Sequence, residues 1–412
     1  MLSNKLISKP IITINEFLEL YDNKFSDNLE KLLHLDFKLN LNHQYEKINP
    51  VIHLAKPEDA KKIAQIFKDI YEGTYPYKQM EDYQEIKEMI KSSNYQWYLL
   101  KINSNKTVGC FGTYLEFEKK RGLLFGFVIE KQYQNILDSL KAFIGCLIYI
   151  WSTYKNKILV WFGEIRTNDP TPQYATSLCS LRPIAFYPNK DIFLNNIESI
   201  FLHVTYDEKA LLEFRYKRIP KIIRQVLDCY LYSNNRFHLG APLVKNPKIN
   251  INLKKVSTLQ TRFFKRTEKD KFDNEIITFS IKKSVSYFKF LYNQNLKTIE
   301  KTNYKITKLE ELYVYLQELN KFITKSHIRY IECFVSSYKP KHQKIFFNAG
   351  FKPRGYVFSW EYNMLHKVFE DRIVFNYYEG EIDKNIKLIP ETLKLLKVLN
   401  FNAYRKTNFF KG

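Results

Sequence analysis

Glu164 stands inside the apolar run ILVWFGEIRT, among Trp161, Phe162 and Ile165. Burial strips water from a carboxylate and raises its pKa, toward the range where it can take a proton near neutral pH. The same position suits an ion pair with Arg166 or another cation, which would keep the carboxylate charged and inert. Glu116, at the end of TVGCFGTYLEF, carries the same two readings, because a strand end is commonly solvated. His203, further along, either faces solvent or fills a sheet.

Metal chemistry is not expected. The five cysteines, Cys110, Cys146, Cys179, Cys229 and Cys333, are far apart and lack C-x-x-C spacing, and the eight histidines include no H-x-x-x-H pair. The cysteines read as reduced core thiols of a cytosolic protein.

The elements that would position these groups come from a chain of 412 residues, long for one core, with 45% hydrophobic and 16% aromatic residues. It has ample material for globular domains and little in common with disordered chains. The opening MLSNKLISKPIITINEF has no apolar run followed by a small-residue cleavage site, so no signal peptide is expected. Phe143–Trp151, the longest apolar stretch, falls short of the roughly 20 residues a bilayer requires. A soluble, cytoplasmic protein without membrane contact is the expectation.

The net charge of +22 favours nucleic acid, ribosomes or anionic cofactors as partners. The same abundance of Lys, Asn, Ile, Tyr and Phe also follows from AT-rich coding, and no aromatic ribonucleoprotein motif or zinc finger accompanies the charge.

Residues 1–48 read as an N-terminal extension, with an amphipathic helix over Asn15–Leu35 and then a polar linker. VIHLA then predicts a strand, and Pro57-Glu58-Asp59 opens a helix whose acidic first turn suits the dipole. Ile63, Phe67, Ile70 and Tyr71 share one face of it. A second helix is expected from about Met80 to Lys91. YQWYLLKI, TVGCFGTYLEF and GLLFGFVIE, joined by short polar links, read as an antiparallel meander. Leu137, Leu140, Ile144, Leu147, Ile148 and Trp151 give a long buried helical stripe. A strand over ILVWFGEIRT, a short helix over Gln173–Cys179 and a strand over RPIAFYP complete the series.

This order resembles the GNAT superfamily of acyl-CoA-dependent N-acyltransferases over roughly 190 residues. IHLAKPEDAKKIA looks like that family's first strand and helix, and NDPTPQYATSLCSLRPIAF like the exit of its fifth strand, its fourth helix and its sixth strand. The resemblance implies an α+β (α/β) fold, a mixed and mostly antiparallel sheet flanked by helices. In the family the fourth and fifth strands part around the cofactor's pantetheine arm. Amides at the next helix N-terminus hold the pyrophosphate. Acetyl-CoA or another acyl-CoA is the cofactor so implied. Its contacts would fall on Val128, Ile129, Tyr133, Gln134, Asn135 and Ile136, with Asn168 beyond the fifth strand. Where the family commonly places glycines this chain has Asn135 and Leu137.

The resemblance likewise implies an amine-bearing acceptor, a base that frees its lone pair and an acid for the departing thiolate. Glu164 and Glu116 are the candidate bases. The family's helix Tyr falls at Thr176 and its Gly-Phe pair at Ser180-Leu181, so the nearby Tyr174 is the candidate acid.

Residues 327–360, HIRYIECFVSSYKPKHQKIFFNAGFKPRGYVFSW, resemble the same family again: a strand, a helix over Pro340–Asn348 and a turn through Gly350 into another strand. A helix bearing Leu309, Leu312, Tyr313, Leu316, Leu319 and Ile323 precedes them. The expectation is two related domains, 49–240 and 241–412, the second degenerate, with Phe346 where the Tyr would stand and no phosphate loop. Basic residues gather in two runs, Lys209–Arg224 and Lys254–Lys271. On one surface they could hold phosphates, and otherwise they are solvated faces.

Overall fold

The computed structural model describes residues 13–21, 33–35, 47–103 and 105–400. Helix α1 (Ile14–Glu19) is capped by Thr13, and strand β1 (Leu33–His34) follows. The helix expected over Asn15–Leu35 is therefore shorter. It ends at Glu19, residues 22–32 lie outside the described residues, and Leu33 is already extended.

The regular part begins with β2 (Val51–Leu54), α2 (Ala60–Tyr71) and α3 (Tyr83–Lys91). The meander is β3 (Tyr95–Ile102), β4 (Lys106–Glu116) and β5 (Arg121–Ile129), antiparallel as its short links require. Then come α4 (Ser139–Thr153), β6 (Val160–Arg166), α5 (Pro170–Leu178) and β7 (Arg182–Phe193). Helix α5 starts earlier than the apolar pattern indicates, because Asp169 caps it and Pro170 suits its first turn. Strand β8 (Asn196–Tyr206) returns beside β7. The sequence reading stopped short of it.

Past β8 lie α6 (Glu208–Leu212), β9 (Lys221–Ile223), α7 (Leu227–Phe237), β10 (Leu243–Lys245) and α8 (Leu253–Gln260). Four further strands, β11 (Phe263–Lys269), β12 (Asn274–Ile281), β13 (Tyr287–Asn293) and β14 (Thr298–Lys305), lead into α9 (Leu309–Ser326). The chain continues through β15 (Tyr330–Ser336), α10 (Pro340–Asn348), β16 (Lys352–Asn363), β17 (Val368–Tyr378) and α11 (Pro390–Val398).

One sheet of 15 strands runs through the molecule in the order β1-β2-β3-β4-β5-β6-β8-β7-β16-β17-β15-β14-β13-β12-β11. Read inward from β2 on one side and from β11 on the other, the order is the same: five strands in sequence, then the last two exchanged. Each series has one parallel pair, β5 with β6 and β14 with β15. The two series meet where Gly355 of β16 pairs with Ala185 of β7. A side chain at 355 would collide with Ala185 and the Ile184 carbonyl, so glycine lets the strands close there.

The faces of the first series are covered on both sides. Helix α4 packs on Tyr98, Leu100, Val108 and Phe111, while α2 and α3 pack on Trp97, Leu99, Cys110 and Val128. The second series has α9 on one face but joins β11 to β12 by a short turn at Asp270–Asp273, where β2 and β3 are joined through α2 and α3. Its core, with Ile277, Phe279, Phe288, Leu316 and Leu319, merges with that of β7 and β8 across the seam. All five cysteines are buried and unbridged. Among the described residues no helix is long and apolar enough to cross a membrane, and no group of His, Cys, Asp and Glu could hold a metal.

Candidate functional site at the parted strands

Strands β5 and β6 pair over only four residues, Arg121–Leu124 with Val160–Gly163. Beyond them β5 stays with β4 and β6 stays with β8, so Phe125–Ile129 and Glu164–Arg166 diverge. The cause is local. The β4–β5 register shifts between Cys110 and Gly112, opposite Gly126, whose φ of 63° is open to glycine at little cost. In the second series β14 and β15 part sooner, after Thr298–Ile299 with Tyr330–Ile331.

A parallel pair that parts in this way, within the order β2-β3-β4-β5-β6-β8-β7, decides the architecture. The first series has the GNAT fold. Ser180, in the place of the family's glycine, takes the left-handed backbone that a glycine would supply, with φ of 61°.

No protein-family model and no curated protein sequence matches the chain. Solved structures of GNAT acetyltransferases do. A ribosomal-protein-S5-alanine acetyltransferase from Vibrio fischeri is 12% identical, covering 41% of this chain and 98% of its own, with a TM-score of 0.33. A spermidine N-acetyltransferase variant from Vibrio cholerae is 9% identical, covering 38% and 94%, also at 0.33. A probable GNAT-family acetyltransferase from Chromobacterium violaceum is 8% identical, covering 39% and 88%, at 0.31.

The cofactor that the GNAT fold implies can be tested against the loop after β5. Val128 and Ile129 are buried in the sheet, and the Gln134 side chain donates to the Ile129 carbonyl at 3.0 Å. Tyr133 lies under the Lys106 ammonium, 5.1 Å from its ring centre. Asn135 and Ile136 are exposed. The amides of Ile136 and Leu137 donate to the Tyr133 carbonyl at 3.1 and 2.9 Å, and that of Asp138 donates to Ile48 at 3.0 Å. Ile48 in turn donates to the Ile136 carbonyl at 2.9 Å, so the segment before β2 is bonded to the loop. Leu137 is wholly buried in the α4 core.

The N-terminus of α4 is also taken. The Asp138 carboxylate accepts from the Lys141 amide at 3.0 Å, placing a fixed negative charge where the helix dipole would attract an anion. Lys141, itself buried, turns its ammonium to Asn49 at 2.8 Å. A pyrophosphate does not fit this loop: the amides of Ile136, Leu137, Asp138 and Lys141 are bonded and the helix end carries the Asp138 carboxylate.

The helix that connects the second parted pair also carries a carboxylate at its start. At the start of α9 the Glu311 carboxylate accepts from the Lys308 amide at 3.0 Å and from the hydroxyls of Thr307, Ser286 and Ser284 at 2.8, 2.7 and 2.6 Å. Burial pushes its pKa up, but these hydrogen bonds together hold it below the ordinary carboxylate value.

The candidate bases are held in ion pairs. Glu164 accepts from Lys190 of β7 at 2.6 Å. The Lys190 side chain is 1% exposed and also lies 3.2 Å from Glu332 and 4.0 Å from Glu300, which come from the second series. Burial alone would lower the pKa of Lys190, but these carboxylates raise it well above the usual lysine value. The partner of Glu164 is thus Lys190, while Arg166 forks onto Glu198 at 2.6 and 2.8 Å. Asn168 donates to the same Glu198 at 3.0 Å, which ties it to the sheet.

Glu116 is clamped by Arg121 at 2.7 Å and Lys119 at 2.6 Å. Its burial raises the pKa, and the two cations outweigh that and leave it lowered. Tyr174 is 44% exposed. Thr176, on the buried side of α5, shares a hydrogen bond with Nδ1 of His203 at 3.0 Å. His203 fills the sheet with no exposure, and burial lowers its pKa to about 3, so the ring is neutral.

The parted strands therefore place Glu164 in a charge network across the seam, and hold Arg166 and Asn168 together on Glu198 within the first series. Asp191 belongs to that network as well. It is buried, pushed well up in pKa first by burial, and accepts from the Tyr77 hydroxyl at 3.4 Å. Sequence reading missed Lys190, Asp191, Glu332 and the capping roles of Asp138 and Glu311. One signal was available: Asn189-Lys190-Asp191 stands between the apolar runs PIAFYP and IF of one strand.

Proposed function

We propose that this chain is a GNAT-fold binding protein in which acyl transfer by the family's usual route has been lost. The observation that carries this reading is the pair of carboxylates, Asp138 and Glu311, at the N-termini of the helices that connect the strands of the two parted pairs. A helix start already holding its own carboxylate opposes the positive field that would attract a pyrophosphate. The repeated strand order supports two related halves, 49–240 and 241–412, neither with an open phosphate position.

Thermal unfolding with acetyl-CoA tests it. A ligand at about 100 times its dissociation constant stabilises by roughly 2.7 kcal/mol. For 412 residues the unfolding entropy is about 0.9 kcal/mol/K, so binding would raise the midpoint by about 3 °C. The expected shift is nil, and a rise of that size would overturn the reading.

One observation favours a second reading, an N-acyltransferase that passes an acetyl or other acyl group from CoA to an amine of a peptide, protein or small molecule. The early parting of β5 and β6 leaves Phe125–Ile129 unpaired with β6, as an acyl carrier would need. This reading requires the Asp138 cap and the Ile48 bonds to open, and a base other than Glu164 or Glu116. Release of free CoA with a panel of polyamines and basic peptides is its test.

A further inference from the structure

We infer that the open face of strands β11 to β14 binds single-stranded nucleic acid; this rests on the binding-protein reading and names its partner. The face exists because the second series lacks counterparts of α2 and α3. Its other face is the one that α9 covers, with Phe322 against Phe290 and Tyr292 at ring distances of 6.0 and 5.2 Å. Helix α8 lies on that same side, where Gln260 donates to Gln317 of α9 at 3.1 Å.

Burial alternates along β13 and over Ile277–Ile281 of β12, while β11 is exposed along most of its length. In β13, Phe288, Phe290 and Tyr292 are buried, while Tyr287, Lys289 and Leu291 face outward. Register then sets the open side in rows. Phe264, Ser280, Tyr287 and Lys305 lie abreast on successive strands, and Arg266, Thr278, Lys289 and Asn303 form the next row. Lys301 extends the basic side on β14.

The chemistry of these rows fits a strand of bases on a phosphate backbone. Phe264 is 44% exposed and Tyr287 half-buried, on strands two apart, so each offers a ring for stacking roughly 10 Å from the other. Lys289, Lys301 and Lys305 are exposed and enter no ion pair among the described residues. The next row, Glu268, Ile276, Leu291 and Glu300, carries two acids: Glu268 is neutralised by Arg266 at 2.8 Å, and Glu300 is buried toward Lys190. Thr278, Ser280 and Asn303 add neutral hydrogen-bonding groups between cations and rings. An antiparallel sheet with one solvated face is common. Here that face joins unpaired cations to two aromatic rings, the combination that holds single strands without needing a defined sequence.

The test is fluorescence anisotropy of a labelled oligouridylate of about ten nucleotides with the full chain. Three phosphate contacts give a salt slope of about −2, a loss of roughly twentyfold between about 50 and 200 mM salt. The combined Lys289→Glu, Lys301→Glu and Lys305→Glu variant should abolish binding. Tyr287→Ala should weaken it at least about fivefold, and Tyr287→Phe should restore it. Circular dichroism checks that each variant is folded. Binding unchanged in the triple variant, or lost instead in Lys217→Glu with Arg218→Glu on the β9 side, would overturn the assignment. So would affinity for duplex RNA or anionic vesicles with none for the single strand. Acetyl-CoA binding is measured separately, so failure of this inference and failure of the binding-protein reading are told apart.

Discussion

Replacing Lys190 with Met keeps the length of the side chain and removes its charge from the seam. Lys190 is the cation placed among Glu164, Glu332 and Glu300, so the variant leaves buried carboxylates facing one another. Breaking a buried ion pair from one side costs about 3–5 kcal/mol. With an unfolding entropy of about 0.9 kcal/mol/K, that lowers the midpoint by roughly 3–6 °C. The loss should depend on pH. Burial raises the pKa of Glu332 to about 7 against the pull of Lys190. A carboxyl raised in the fold favours the fold below its unfolded value of about 4.3, and that contribution is lost as pH rises through about 7. Without Lys190 the carboxyl is raised further, so the deficit should be largest near pH 8 and shrink near pH 5. Urea unfolding at both pH values measures it. A deficit under about 1 kcal/mol, or one equal at the two pH values, would refute a seam held by this cation.

Glu311→Gln should cost about 1.5–3 kcal/mol near neutral pH, read by urea unfolding. Because the pKa of Glu311 is lowered in the fold, its contribution is present above about pH 4.3 and fades below it, so the variant should have a shallower acid limb. His203, lowered to about 3, stabilises the fold fully above about pH 6.5 and loses this as pH falls toward 3; His203→Gln should flatten that stretch of the stability curve. Gly355→Ala should destabilise by about 1–3 kcal/mol through overpacking at the seam, seen as a lower melting midpoint. Asp138→Ala should cost about 1 kcal/mol as a lost cap, read the same way.

The elements were legible where periodicity was strong. The stripe from Leu137 to Trp151 and the alternation in the meander each marked an element correctly, and NAGF marked the end of α10 at Asn348. Strand β8 was harder to read, since Ser199–Tyr206 is buried on both faces and its side chains do not alternate between apolar and polar. The site was less legible than the fold, because its chemistry depends on long-range partners. Nothing near Glu164 in the sequence points to Lys190, still less to Glu332, which lies 168 residues on and is reached only across the seam. The caps are local and could have been found. Asp138-Ser-Leu-Lys141 is an N-cap sequence at the very loop where the resemblance implies amides free for a phosphate.

The central claim is that the chain's own carboxylates occupy the positions where the GNAT fold would hold a cofactor's pyrophosphate. Isothermal titration of the full chain with acetyl-CoA tests it most directly. No binding heat is expected at millimolar cofactor, while a micromolar dissociation constant that is abolished by Gln134→Glu would contradict the occupied helix starts.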